Sequence, residues 1–305
     1  MNNLKRILLL AVILLMNKAF AQDPFQYDPP WNTAPKSAVN FTVPGIDNVP
    51  DLFGDIVDPQ LVVFFAGNQF MVMDDLLAAF KQKHPKYERI FVETLPPGIL
   101  AKQIEGGSIT IGNMRITHKP DVYAAGKNRI DSMQNHFSRT EVYAYNKLAI
   151  MVPQGNPKAV KTVQDLAKKD VKIAMPNPAW EGIGRQIVSV YKKLGGEQLE
   201  KTIMKDKVSD GSTYKTKIHH RESPMKILYK EVDAAPVWYS EVVYQKLLNH
   251  PVEMVEIPNE QNIKATYMIA EMKNAPRAQA AKDSVDFMKS DEAKAFYKKY
   301  GFETP

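Results

Sequence analysis

The sequence predicts an α/β fold with mainly parallel central sheets and helices on both faces. Three observations carry this. From residue 61 onward, short apolar runs rich in β-branched and aromatic residues alternate with segments of helical spacing, the pattern of repeated β-α-β units. Residues 171–185 (VKIAMPNPAWEGIGR) condense one such unit into a buried strand, a loop broken by Pro176, Pro178 and Gly182, and a helix. Residues 142–152 (VYAYNKLAIMV) form an apolar run long enough for a strand that crosses from one lobe to another. The chain of 305 residues suits one large domain or two lobes.

The first residues set the compartment. Lys5 and Arg6 precede an unbroken apolar run, ILLLAVILLM, and Ala19-Phe20-Ala21 fits a small-x-small cleavage site. This is the pattern of a signal peptide over 1–21, too short for a membrane span. There is no cysteine, hence no disulfide framework, no thiol ligand and no lipid attachment point at the cleavage site. An exported, unlipidated chain points to the bacterial periplasm. The formal charge of +6 includes Lys5, Arg6 and Lys18, so the mature chain is only mildly basic. No basic run is interleaved with aromatics, which leaves nucleic-acid binding without support.

Residues 22–60 form a Pro-rich leader with little periodicity, read as extended over the surface. Strands are expected at 61–65, 89–95, 108–114, 121–125, 142–152, 171–175, 213–220, 234–239, 252–257 and 265–270. Helices are expected at 71–83, 99–105, 162–169, 185–194, 197–206, 224–230, 241–248 and 279–302, the last broken near Ser290-Asp291. The strands at 252–257 and 265–270 are both placed as returns to the first lobe.

No arrangement of residues reads as a catalytic centre. There is no G-x-S-x-G, H-E-x-x-H or P-loop, so the chain is read as a binding protein, not an enzyme, with no cofactor. The pair His219-His220 is expected on a strand, where neighbours face opposite ways and do not share a metal. No metal site is therefore assigned. Ligands of open α/β sheets bind beyond the carboxyl ends of strands. That rule selects Asn68 and Gln69, the loop Trp180-Glu181-Gly182-Ile183, the dense run His220-Arg221-Glu222, and Trp238-Tyr239. The loop before 185 also places free backbone N–H groups at a helix N-terminus, where the helix dipole favours an anion.

The order of these pieces resembles periplasmic solute-binding proteins of the molybdate, tungstate and sulfate type. The matching segments are VVFFAGNQF, PPGILAKQIEGG, KPDVYAAG, NKLAIMVPQGNP, TVQDLAKKDVKIAMPNPAWEGIGRQ, VDAAPVWYSEV and AAKDSVDFMKSDEAKAFYKKYGF, which together cover about 61–302. The resemblance implies two α/β lobes joined by crossing hinge strands, with a ligand cleft between them. On that basis lobe 1 is 61–147 with 245–305, and lobe 2 is 148–244. It implies a monomer that hands an oxyanion or another small anionic solute to an ABC transporter permease. A larger organic acid, a sugar-derived solute, or an exported protein without a transport role are the alternatives on the same fold. The resemblance adds Ala125 and Gly126 to the contacts. Where the family offers serine hydroxyls at its first two loops, this chain has Asn68 and Ala125. Glu181 and Glu222 stand roughly where the carboxylates of tungstate-binding relatives approach their ligand. Residues 108–119 resemble an insertion that brings Asn113 and Arg115 toward the cleft.

Overall fold

The computed structural model describes residues 51–111, 114–179, 181–217 and 219–305. The expected signal peptide, most of the Pro-rich leader, Asn113 and Trp180 lie outside the described residues. No helix among the described residues is long and apolar enough to cross a membrane.

Two main sheets organise the chain. In the first part come β1 (Leu52–Gly54), β2 (Leu61–Ala66), helix α1 (Met73–Lys83), β3 (Ile90–Leu95), α2 (Pro97–Gly106), the hairpin β4 (Ile109–Ile111) and β5 (Met114–Ile116), β6 (Val122–Gly126), α3 (Lys127–Ser132) and β7 (Phe137–Asn146). The middle part holds β8 (Leu148–Pro153), β9 (Ile173–Met175), α4 (Gly182–Lys201), β10 (Thr213–Lys215), α5 (Glu222–Leu228), β11 (Ala235–Trp238), α6 (Tyr239–Leu247) and β12 (Val252–Glu256). The chain closes with β13 (Ala265–Met272), α7 (Ala278–Met288) and α8 (Asp291–Lys299). The larger sheet has the order β1-β3-β2-β6-β13-β7. Its centre, β3-β2-β6, is parallel, and antiparallel strands complete it on both sides. In the smaller sheet β11 and β12 flank β8, and the parallel pair β9–β10 joins through a bridge from Ile173 to Ala234.

The unbroken apolar runs are buried on both faces because helices cover both sides of each sheet, around the parallel strand β2 and around β8, which is antiparallel to both of its neighbours. On β2, Leu61, Val63 and Phe65 enter the core shared with α1, α7 and α8, while Val62 and Phe64 enter the core beneath α2 and α3. On β8, Leu148, Ile150 and Val152 pack with α4, and Ala149 and Met151 pack with α5 and α6.

Several expectations change in detail. Residues 142–152 form two strands, β7 and β8, one in each sheet, with Lys147 at the crossing. The second crossing is residues 257–264, because β12 pairs with β8 and only β13 joins the larger sheet. Asn262 ties the crossings together: its side chain accepts from Leu148 N at 3.0 Å and donates to Leu148 O and Ile257 O. The helix expected at 162–169 shrinks to a 3-10 turn, Gln164–Ala167. There the Asp165 carboxylate collects the N–H groups of Lys161 and Thr162 and holds the chain in a tight turn. The helix beginning at Gly182 is broken at Gly196, whose φ of 64° is open to glycine at little cost.

A buried acid lies under α2. Glu93 of β3 is fully buried, and Gln103 Nε2 donates to its Oε1 at 2.8 Å. Glu93 Oε2 and Gln103 Oε1 have no donor. Burial raises the carboxyl to about 7 against the opposing pull of the Gln103 hydrogen bond. With the proton kept, the buried carboxyl carries no charge and still accepts from Gln103 Nε2. The folded-state value lies above the unfolded value, so this contribution is full below about pH 4.5 and declines as pH rises toward 7. We expect the decline to be on the order of 3 kcal/mol. Urea denaturation at pH 5 and pH 8 should show it in the parent protein and lose much of it in Glu93→Gln; an unchanged slope in the variant rejects the assignment.

Candidate functional site

A cleft of about 1370 Å³ lies where the carboxyl ends of strands from both sheets meet. Ala66–Asn68 after β2, Pro96–Ile99 after β3, and Gly126–Arg129 after β6 form the wall on the larger sheet. Glu181–Ile183 at the start of α4, Lys217, His219 and His220 after β10, and Trp238 at the end of β11 form the opposite wall. Lys264–Tyr267, leading out of the second crossing, close the back. Tyr267 accepts from Asn68 Nδ2 at 2.6 Å and stands edge-on to Trp238, joining one wall to the other. Each wall thus follows from strand direction: parallel strands deliver their loops to one edge, and two sheets deliver them to one cleft.

The segment 217–222 builds the centre of one wall. Glu222, in the first turn of α5, accepts from the backbone N–H groups of Lys217 at 2.9 Å and His219 at 3.0 Å, and from the Tyr214 hydroxyl at 2.7 Å. These bonds curl the chain, so β10 ends at Lys215 and does not run on to His220. The two histidines therefore do not face opposite ways: their rings lie 4.0 Å apart between centroids.

Their charge states differ. His220 Nδ1 is 3.1 Å from Glu181 Oε2 and its Nε2 is 3.0 Å from Glu241 Oε1. Burial works against a charged ring here, but Glu241 and Glu181 outweigh it and raise His220 to about 9. His219 is held well below its ordinary value by burial and by the neighbouring positive charges of His220 and Arg221. Arg221 N donates to His219 Nδ1 at 3.1 Å, so the neutral ring carries its hydrogen on Nε2. That nitrogen abuts Gly67, where an added Cβ would stand 2.9 Å from it and 3.2 Å from Thr94 O.

Glu181, His219 and His220 bring possible ligand atoms within 4.8 Å of one another. Most of these atoms already have polar partners within the fold. Both His220 nitrogens face carboxylates, and the His219 lone pair on Nδ1 is taken by a backbone N–H. Glu181 also accepts from Thr216 Oγ1 and Asn177 N. Among the described residues the group is a buried set of ion-paired and hydrogen-bonded side chains.

Of the residues selected from sequence, Asn68, Gly126, Glu181, Gly182, Ile183, His220 and Trp238 line the cleft. Gln69, Ala125, Arg221, Glu222 and Tyr239 are placed away from its surface. Gln69 is buried and donates to Asn68 Oδ1, and Ala125 is buried in β6 beneath α2 and α3. Tyr239 opens α6 with the Lys147 ammonium over its ring. Arg221 turns inward, donating to Asp51 Oδ1 at 2.8 Å and lying over the Phe70 ring. Arg115 sits on the exposed β4–β5 hairpin and reaches Ser108, not the cleft. Residues passed over in the sequence include His219 and the cations Lys102, Arg129, Arg185 and Lys217. Arg129 was accessible to the strand-end rule, since it lies three residues beyond β6; Lys102 sits one turn into α2 and carries no local signal.

The chain matches the family model of bacterial extracellular solute-binding proteins over residues 61–303 and belongs to that family. It is a solute-binding protein, and its family places it outside the cytoplasm. The fold is shared with solved structures at low identity. The sulfate-binding protein SubI from Mycobacterium tuberculosis is 14% identical with a TM-score of 0.66, covering 79% of this chain and 85% of its own. The periplasmic molybdate-binding protein of Azotobacter vinelandii is 17% identical with a TM-score of 0.64, covering 80% and 99%. Peb3 from Campylobacter jejuni is 17% identical with a TM-score of 0.57, covering 80% and 99%. No curated protein matches the chain in sequence.

The His220 bridge is open to test. Its raised value means that its stabilisation is full below about pH 6.5 and is lost as pH rises through about 9. Replacing it leaves two buried carboxylates without their shared cation, which costs about 3 kcal/mol or more. His220→Ala should therefore unfold at markedly lower urea concentration at pH 7, while the gap from the parent narrows at pH 9.5. An equal gap at both values would mean that His220 is not charged in the folded protein.

Proposed function

We propose that this chain is the periplasmic binding component of an ABC importer and that it captures a small anionic solute in the cleft. The observation that supports this best is the charge of the walls. Lys102, Lys127 and Arg129 stand on one side and Arg185 and Lys217 on the other, against Glu105 and a Glu181 already engaged by His220. Family membership and the anion named in the sulfate- and molybdate-binding neighbours point the same way.

In this reading the signal peptide is removed after Ala21 and the protein acts as a monomer without a lipid anchor. The lobes are the two sheet units, and Lys147 with residues 257–264 is the hinge about which they close. Closure over a bound anion excludes water and strengthens every charge interaction in the cleft. The closed form is what the permease receives. The resemblance to oxyanion carriers leaves the choice among anions to the walls themselves.

Thermal unfolding in the presence of candidate solutes tests the reading. An anion at a hundred times its dissociation constant should stabilise the protein by about 2.7 kcal/mol, a shift of several degrees. Affinity should fall as sodium chloride rises from 50 to 500 mM, because the wall cations are exposed and screened. Stabilisation by neutral sugars with no response to any anion would reject anion capture.

A further inference from the structure

Resting on the reading that the cleft holds an anion, we propose that the solute is an organic molecule with two separated anionic groups. One is met by Arg185 and Lys217 beside His219; the other is met across the cleft by Arg129 and Lys102.

The size of the cleft is the first reason. At about 1370 Å³ it exceeds the range of roughly 300–1,000 Å³ usual for clefts that hold organic ligands. A five-atom oxyanion fills a small part of it and touches one wall. The lining also includes the apolar Pro96-Pro97 turn and Ile99, which offer nothing to an inorganic ion but suit a carbon skeleton.

The second reason is where the unpaired cations stand. Lys127 is bound to Asp131, and Lys264 lies near Glu303 and over the Tyr145 ring. Lys102, Arg129, Arg185 and Lys217 line the cleft, and none of the four forms an ion pair among the described residues. Two of these stand on each wall. The arginines are placed alike: Arg129 Nη2 is 3.7 Å from where a Cβ on Gly98 would be, and Arg185 Nη2 is 3.9 Å from the same point on Gly182. Gly98 lies in the first turn of α2 and Gly182 in that of α4. Arg185 is further fixed by donating to Pro178 O at 3.0 Å. Each wall therefore joins a guanidinium to a helix N-terminus, a pairing that favours carboxylate or phosphate.

His219 supplies an independent sign of a ligand. The residue lines the cleft at 2% exposure, its Nε2 stands beside Gly67, and no hydrogen bond from that nitrogen is formed among the described residues. A bound anionic oxygen would give this N–H an acceptor at the cleft wall. Four like charges in one cleft also repel one another, and a molecule with one charged end relieves only one wall. A molecule charged at both ends relieves both and draws the walls together.

Isothermal calorimetry on the purified protein decides the matter. The probes are 3-phosphoglycerate, succinate and glutarate, against acetate, inorganic phosphate, sulfate and molybdate. We expect at least one of the first three to bind a hundredfold more tightly than acetate and phosphate, the groups from which it is composed. Arg129→Gln and Arg185→Gln should each weaken that binding at least tenfold while the solute-free melting temperature stays within about two degrees of the parent. Lys102→Gln, on an exposed position, serves as a further variant should either arginine disturb folding. The phosphate-bearing and dicarboxylate probes separate the two possible sources of the anionic ends. Tighter binding of molybdate or sulfate than of every two-ended probe would overturn this proposal and leave anion capture standing. No binding of any anion would overturn both.

Discussion

His220 sits between Glu181 and Glu241, and each of the three belongs to a different segment. Glu181 precedes α4, His220 follows β10, and Glu241 lies in the first turn of α6. A cation between two carboxylates in a buried setting is worth little net stability compared with a well-packed apolar cluster. Its value lies in what it fixes. The bridge sets the start of α4, where Gly182 and Arg185 face the cleft, and the start of α6, where Glu241 also accepts from Trp238 N at 3.2 Å. Deprotonating the ring would leave two buried carboxylates beside an uncharged imidazole. The raised value of about 9 keeps it charged at any ordinary pH.

The same turn links the sheets. Beside His220, Arg221 leaves the smaller sheet and pairs with Asp51, whose carbonyl accepts from Thr94 N on β3 of the larger. Both side chains are nearly inaccessible to water, and the guanidinium lies over Phe70, which also packs edge-on against Tyr244 of α6. A single turn, 217–222, thus carries the neutral donor of the cleft, the charged bridge behind it, and the cross-sheet pair. The residues that looked like ligand contacts in a dense polar run divide by function: His220 faces the cleft, while Arg221 and Glu222 hold the turn that presents it.

Much of the fold was legible because burial on both faces leaves an unmistakable apolar run. LVVFF and the strand–loop–helix at 171–185 show this, and so does the break near Ser290, where Ser290 Oγ accepts from Ala293 N and caps α8. Two of the misread segments share a cause. At 162–169 and 213–220 a carboxylate three to five residues away gathers backbone N–H groups, and that local bond overrides periodicity. The site was legible only where it followed a strand end. Asn68, Glu181 and Trp238 answer to that rule and Gly126 to the family resemblance, whereas Lys102 answers to neither, because its place depends on how α2 leans over the cleft. The roles of Arg221 and Glu222 depend on partners at Asp51 and Tyr214, which no spacing in the sequence announces.

An exposed lysine or arginine in a wide cleft contributes little to affinity while water and salt screen it. In the proposed closure, the wall cations select a solute as the cleft narrows around it, and the two crossings are where the chain passes between the sheets. Asn262 binds the backbone on both of them, at Leu148 and at Ile257, and so ties the two crossing segments to each other. Affinity and closure then share one source. A solute that engages one wall gains the screened, open-cleft energy; a solute that engages both gains the same contacts at lower dielectric. For such a protein, the spacing between the two groups of unpaired cations is as much a determinant of specificity as the chemistry of either group.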